Sequence, residues 1–268
     1  MKVLITGMVR DRAWIVVDYL KCLRSMDTEG LEVGYYFLVD PSTDGTEKIV
    51  WDTVVGKVIE KPLWGDACVE LITGNVPADP QSGKERFESG VCYHLRELFE
   101  KMKRYAVENK YDYQLVVASD ILVQSDTLQK LLSAKKDAVG PVTLTPGSRA
   151  AALVVRGKTG VPYSTGLRLG VVDYTGDVGL IRIDVPIGCF LLSKKAIKAG
   201  SCFVELDAGY RRILPADDVW LFLSLRQAGI EVWLDTSHVI PHYRSKELYE
   251  RNVNKTDRKG TGVNSDIS

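Results

Sequence analysis

An α/β fold is what this sequence predicts: a single Rossmann-like domain with a mostly parallel mixed sheet flanked by helices. Three observations predict it. Short β-branched apolar runs alternate with segments whose apolar residues recur every three to four positions, the pattern of alternating strands and helices. Several of the apolar runs stop on polar groups, at Gly7, Asp40, Ser119-Asp120 and Asp235, and an open α/β sheet binds its ligands beyond such strand ends. The 268 residues are 45% hydrophobic and 26% charged, enough material for one sizeable core.

In chain order, KVLIT at 2–6 reads as a first strand ending at Gly7. The segment AWIVVDYLKCLRSM follows as a helix with Val16, Leu20 and Leu23 at helical spacing. VGYYFLVD is a buried second strand closing at Asp40. PSTDGTEKIVWDTV is a turn and helix entry in which Ser42, Thr43 and Asp44 are able to cap. GKVIEKP reads as a short third strand, and 64–84 as a long loop. A helix then stacks Val91, Leu95, Leu98, Met102 and Tyr105 on one face and leads into YDYQLVVASDILV, an apolar strand broken at Ser119-Asp120. SDTLQKLLSA is a short helix capped by Ser125 or Asp126, and AVGPVTLT is another strand. From 146 to 188 the pattern is irregular, apart from VVDYTG and GLIRIDVP, which alternate like exposed strands. IGCFLLSKKAI is a turn and strand before a helix, PADDVWLFLSLRQAG a helix stopped by Gly229, and IEVWLD the last strand. The tail from Ser245 to Ser268 is polar and reads as disordered or as a mobile flap. The division expected is one domain over 1–244 and a tail over 245–268.

Charge narrows the function. The 35 basic and 35 acidic side chains cancel, so no global field exists to hold nucleic acid or an anionic membrane. No apolar stretch approaches the ~20 residues of a bilayer span, and the start of the chain meets charge too early for a signal peptide. The five cysteines are scattered without a CxxC pair, the usage of reduced thiols in a cytoplasmic protein. There is no GxxxxGKS loop, GxGxxG fingerprint or GxSxG elbow, which argues against P-loop enzymes, typical NAD enzymes and α/β-hydrolases.

Three places carry candidate chemistry. Asp120 leaves a buried strand for its open end, where a divalent cation held partly by substrate phosphates would find it, although a turn cap is the plain alternative. Of the three histidines, His94 on the flank of a helix stripe reads as a packed or surface residue. His238 and His242 follow the last strand, and Pro241 argues against a helix that would present both to one metal, so a single ligand, His242, is expected. Asp217 and Asp218 open a helix. One of them suffices as a cap, which leaves its neighbour for the cleft, where a carboxylate takes a proton from a hydroxyl.

Together these segments resemble glycosyltransferases of the GT-A fold, the nucleotide-sugar-dependent type near family 2 and the Anp1-like mannosyltransferases. The stretch PADDVWLFLSLRQAGIEVWLDTSHVIPH looks like the family's acidic pair, apolar helix, aromatic strand and closing His. LVDPSTDGTEKI is similar to its second-strand motif, YDYQLVVASDIL to its DxD strand, and VPIGCFLLSKKAI to its acceptor-side segment. The resemblance spans 2–244. It implies that Asp218 is the catalytic base with Asp217 as its acidic neighbour, and that Asp120 and His242 hold Mn2+ or Mg2+. It further implies that Gly7, Met8, Arg10, Arg12, Asp40, Ser119 and Asp120 line the nucleotide site. The implied substrates are a UDP- or GDP-linked sugar donor and a carbohydrate, glycan or small-molecule hydroxyl acceptor. Two departures matter. Ala118 stands where the family has its first DxD acid, and Pro41 where a second acid or a glycine is common, which makes Asp40 a safer nucleotide contact than Asp44. Ala118 motivates a rival reading, a catalytically silent sugar- or nucleotide-binding module. A nucleotidyltransferase is a third reading, for which GMVRDR is too poor in glycine.

Overall fold

The computed structural model describes residues 1–55, 67–73, 91–156, 168–176, 179–203 and 217–260. The strands in chain order are β1 (Lys2–Val9), β2 (Glu32–Val39), β3 (Ala67–Leu71), β4 (Tyr113–Val117), β5 (Ala138–Leu144), β6 (Ala150–Arg156), β7 (Arg168–Asp173), β8 (Leu180–Ile183), β9 (Val185–Pro186), β10 (Cys189–Ser193) and β11 (Val232–Pro241). The helices are α1 (Val16–Arg24), α2 (Thr46–Val54), α3 (Val91–Glu108), α4 (Thr127–Ser133), α5 (Lys194–Ala199), α6 (Asp217–Gln227) and α7 (Lys246–Gly260).

An eight-stranded sheet runs β3-β2-β1-β4-β10-β5-β11-β8. The pairs β3–β2, β2–β1, β1–β4 and β5–β11 are parallel, and the others antiparallel. A smaller three-stranded sheet is ordered β7-β6-β9. Side-chain alternation along β1 separates two cores. Val3, Ile5 and Val9 face a cluster with Val16, Tyr19 and Leu20 of α1, Val50 of α2 and Leu128 of α4. Leu4 faces the other, with Leu98 and Met102 of α3, Ile197 of α5 and Phe222 of α6. The mostly parallel sheet flanked by helices on both faces is thus the architecture expected.

Several boundaries differ from the sequence reading. β1 does not stop at Thr6; it continues through Gly7 to Val9, in parallel register with β2 up to Val39. β11 does not close at Asp235; a register shift between Asp235 and Val239 lets it run on to Pro241. The bulge is held locally, because Asp235 Oδ1 accepts from Ser237 N at 3.0 Å. The segment read as a long loop contains β3, paired with β2 from Tyr35 to Val39. The third strand expected at 56–62 lies outside the described residues. β6 was not expected in the irregular 146–188 region; it pairs with both β7 and β9. The tail, read as disordered or a flap, begins with α7. Tyr249 anchors that helix by packing on Trp14 at 5.7 Å and Tyr243 at 5.4 Å between ring centroids. Its hydroxyl also donates to Asp18.

Candidate functional site

The ends of β1, β2 and β4 converge, and β1 and β4 are brought there by a close approach at Gly7. A Cβ on Gly7 would lie 2.0 Å from Tyr19 Oη and 3.1 Å from the Val117 carbonyl oxygen. Without it, the Tyr19 hydroxyl of α1 donates to that carbonyl at 3.0 Å, one residue before Ala118. Gly7 therefore admits Tyr19, and partly buried Met8 packs on a core cluster; both are in-strand residues, not part of a strand-end loop. A second glycine shapes the turn after β4. Gly188 has φ +64°, and a Cβ there would meet Ile121 at 2.8 Å. Its carbonyl accepts from Ala118 N at 2.7 Å. Ala118 packs on the apolar cluster that includes Ile121 and Cys189, so a carboxylate at this position would face aliphatic carbon.

Asp120 is the centre of the site. Its carboxylate lies between two partners, Arg12 Nη2 at 3.2 Å from Oδ2 and His242 Nε2 at 3.3 Å from Oδ1, with only 12% of its side chain exposed. Burial alone would raise the Asp120 carboxyl. The hydrogen bond from His242 and the charges of His242 and Arg12 outweigh it and hold the group below the usual carboxylate range. His242 arrives from the far end of β11, where His242 N donates to Leu144 O at 3.0 Å and Tyr243 N to Asp120 O at 2.8 Å. An isolated bridge pairs Ile121 with His242. The long, bulged β11 thus delivers the imidazole to the turn after β4. His238 goes elsewhere: it is buried against α4, with Thr127 Oγ1 at 2.8 Å and Lys130 Nζ at 3.3 Å.

The backbone at Arg12 is fixed by a lattice of hydrogen bonds between the loops after β1 and β2. Asp11, with φ +49°, accepts from Thr43 N at 2.9 Å, and Asp11 N donates to Ser42 Oγ at 3.1 Å. Arg12 N donates to Thr46 Oγ1 at 2.8 Å, while Asp44 accepts from Ala13 N at 2.9 Å and Thr46 N at 3.1 Å. Partial burial would raise the Asp44 carboxyl, but these donors lower it overall. Asp44 is thereby occupied in joining the loops. Arg10 lies in the same loop, its Nε 3.5 Å from Asp11 Oδ2, and Ser119 is buried beside Asp120.

Asp40 closes β2 and is 4% exposed. The partner that satisfies it is His94, whose Nε2 lies 2.9 Å from Oδ1 and 3.0 Å from Oδ2. His94, read from the sequence as a packed or surface residue, sits in the first turn of α3 and belongs to this strand-end cluster. The only sequence signal was a histidine entering a helix directly after a long loop, and no local pattern connects it to an aspartate 54 residues away.

Asp217 and Asp218 form the first turn of α6, as expected, although the Asp217 side chain and the approach over 204–216 lie outside the described residues. The helix is seated by Val219, Trp220, Phe222 and Leu225, all buried, and the Arg96 guanidinium of α3 stacks 4.0 Å from the Trp220 ring. Ile230 N bonds back to Leu225 O at 2.9 Å across Gly229, φ +72°, which ends the helix as the sequence implied.

As for a metal, Asp120 and His242 would supply one oxygen and one nitrogen ligand, and His242 Nδ1 is buried without a hydrogen-bond partner among the described residues. No cluster of three or more His, Cys, Asp or Glu exists among the described residues. The set therefore fits an ion that completes its shell with substrate phosphate and water, and not one caged by protein. Burial pushes the Cys22 thiol up to about 12 and Cys189 higher still, which disfavours the reactive thiolate at these two positions. No described helix is long and apolar enough to cross a membrane.

No family model matches the chain, and no curated protein matches it. Solved structures do. S. aureus TarS superposes with a TM-score of 0.53 at 13% identity, over 99% of this chain and 41% of that one. S. aureus TarS 1–349 in complex with UDP-GlcNAc gives 0.51 at 13% identity, over 91% and 59%. GalNAc-T7 with UDP, GalNAc and Mn2+ gives 0.55 at 10% identity, over 95% and 48%. The chain spans less than two thirds of the length of each of these. The likeness is one of architecture, and it shows that this chain has the GT-A fold.

Proposed function

We propose that this protein is a glycosyltransferase that moves a sugar from a nucleoside diphosphate donor, UDP- or GDP-linked, to a hydroxyl of a carbohydrate, glycan or small-molecule acceptor. The observation that carries the proposal is the Asp120 carboxylate, buried between Arg12 and His242 at the open ends of β1, β4 and β11. Neighbours of the same fold are described with UDP-GlcNAc and with UDP, GalNAc and Mn2+, which supports UDP and a divalent cation. Asp120 and His242 would hold that cation, Mn2+ or Mg2+, which supplies charge neutralisation to the departing diphosphate. Arg12 lies against the same carboxylate, so its guanidinium adds positive charge where the leaving group accumulates negative charge. Asp40, together with Ser119 and Arg10 of the strand-end loops, serves the nucleoside end. Asp218 takes the proton of the acceptor hydroxyl as that oxygen attacks the anomeric carbon and the sugar–phosphate bond breaks. The catalytic domain would span 1–244, with the polar tail over 245–268 as a flap whose helix α7 packs through Tyr249 on Trp14. The scattered cysteines without a CxxC pair support a reducing, cytoplasmic setting.

The test is titration calorimetry with UDP and GDP, in Mn2+ and in EDTA, followed by donor hydrolysis in Mn2+. Tighter binding with the ion and slow donor turnover are expected. Equal affinity in EDTA removes the ion from the proposal. Binding without any turnover favours the rival reading of a silent binding module, for which Ala118 is the specific observation.

A further inference from the structure

We infer that His94 is a positioning residue of the donor site, which fixes the Asp40 carboxylate for the nucleoside end of the ligand; this rests on the nucleotide-site reading above. The backbone of Asp40 is set by the sheet: its N–H donates to Val9 O and its carbonyl accepts from Ser42 Oγ, both at 3.0 Å. The side chain is different. Among the described residues its hydrogen bonds are those to His94 Nε2, at 2.9 and 3.0 Å.

The geometry has a chemical consequence. One N–H shared between both oxygens holds the carboxylate against the imidazole edge. A carboxylate accepts about four hydrogen bonds, so each oxygen keeps a further acceptor direction. Two adjacent acceptors in a fixed orientation suit paired donors such as the vicinal hydroxyls of a ribose. Without the imidazole, a carboxylate only 5% exposed would lose its partner and its orientation. His94 also lies two residues before Arg96, which stacks on Trp220 of α6. The first two turns of α3 therefore touch both the Asp40 strand end and the helix that carries the acidic pair. A purely structural role for His94, as a tie between α3 and β2, is the alternative that the experiment must exclude.

The test compares UDP with inorganic pyrophosphate, each in Mn2+, by titration calorimetry on the full chain. Pyrophosphate probes the diphosphate end alone. His94→Ala should weaken UDP by about 10-fold or more, the worth of a hydrogen bond to a charged group, and leave pyrophosphate unchanged. His94→Gln, whose amide N–H replaces the donor, should restore most of the UDP affinity. In the double variant His94→Ala/Asp40→Asn, UDP should bind no more weakly than in Asp40→Asn alone, because His94 acts through Asp40. Loss of UDP and pyrophosphate together in His94→Ala, or failure of His94→Gln to restore UDP, marks a structural tie and overturns the inference. So does unchanged UDP binding by His94→Ala. Failure of the wild-type chain to bind UDP overturns the nucleotide-site reading itself, and this inference with it.

Discussion

Replacing Asp120 by Asn keeps the shape of the side chain and removes a charge that faces Arg12 at 3.2 Å and His242 at 3.3 Å. Each charge-assisted hydrogen bond is worth about 1.5–3 kcal/mol. Arg12 keeps 24% of its side chain in water and is able to turn outward, so the summed loss should be about 1–3 kcal/mol and not the larger cost of a stranded buried charge. At roughly 2–4 °C per kcal/mol for a chain of this size, Tm falls by roughly 2–12 °C at pH 7. The sign of the pH dependence follows from the lowered Asp120 carboxyl. A depressed folded-state value contributes stability above the unfolded carboxylate value of ~3.9 and loses it as pH falls through the lower folded value. The gap between wild type and variant should therefore close in acid. Ligand supplies the second readout. With UDP at ~100 times its Kd, wild type gains ~2.7 kcal/mol, or roughly 5–11 °C, and the Mn2+-dependent part of that shift should vanish in the variant. Scanning calorimetry with and without UDP and Mn2+ measures all three. An Asn variant with wild-type Tm and a full Mn2+-dependent shift would refute the placement of Asp120 at the centre of the site.

Other expectations are equally direct. Asp218→Asn should leave Tm and donor affinity nearly unchanged while transfer falls about 10²–10⁴-fold, with a smaller loss for Asp217→Asn; normal transfer by both, measured by product formation, reduces the pair to a helix cap. Gly7→Ala places a Cβ 2.0 Å from Tyr19 Oη and should cost about 2–4 kcal/mol through crowding and the lost bond to Val117. Urea midpoints read this, and adding Tyr19→Phe, which removes the colliding oxygen, should recover part of it. Tyr249→Ala removes the anchor on Trp14, Tyr243 and Asp18, and amide exchange in α7 should quicken while β1 stays protected.

Much of the architecture was legible because it is periodic. The alternation of apolar runs and helical stripes marks β1, α1, β2, α3, β4, α6 and β11 without reference to partners, and the GT-A likeness followed from motifs in chain order. Chain boundaries were less legible. Gly7 looked like the end of a strand, since glycine is a turn residue in isolation, and only the ring of Tyr19 explains why it lies inside β1. Asp235 looked like a terminus because a carboxylate closes the apolar run, until the bulge at 235–239 carried β11 on to Pro241, next to His242. β3 and β6 take their stability from neighbouring strands more than from their own pattern, which is why they were read as loop or irregular chain.

The candidate site divides the same way. By itself the sequence determined which groups stand beyond strand ends, Arg12, Asp40, Asp120 and His242, and that the pair at 217–218 opens a helix. It determined them because polar residues that interrupt an apolar run have few other places to go. Only the tertiary structure decided what those groups do to one another. It set His242 and Arg12 on opposite oxygens of Asp120, sent His238 to Thr127 instead, spent Asp44 on joining two loops, and brought His94 to Asp40. Each of these is a contact between residues distant in the chain, made by sheet order and the bulge in β11, and a hydrogen bond a few ångströms long depends on how strands are ordered, which no local run of residues specifies.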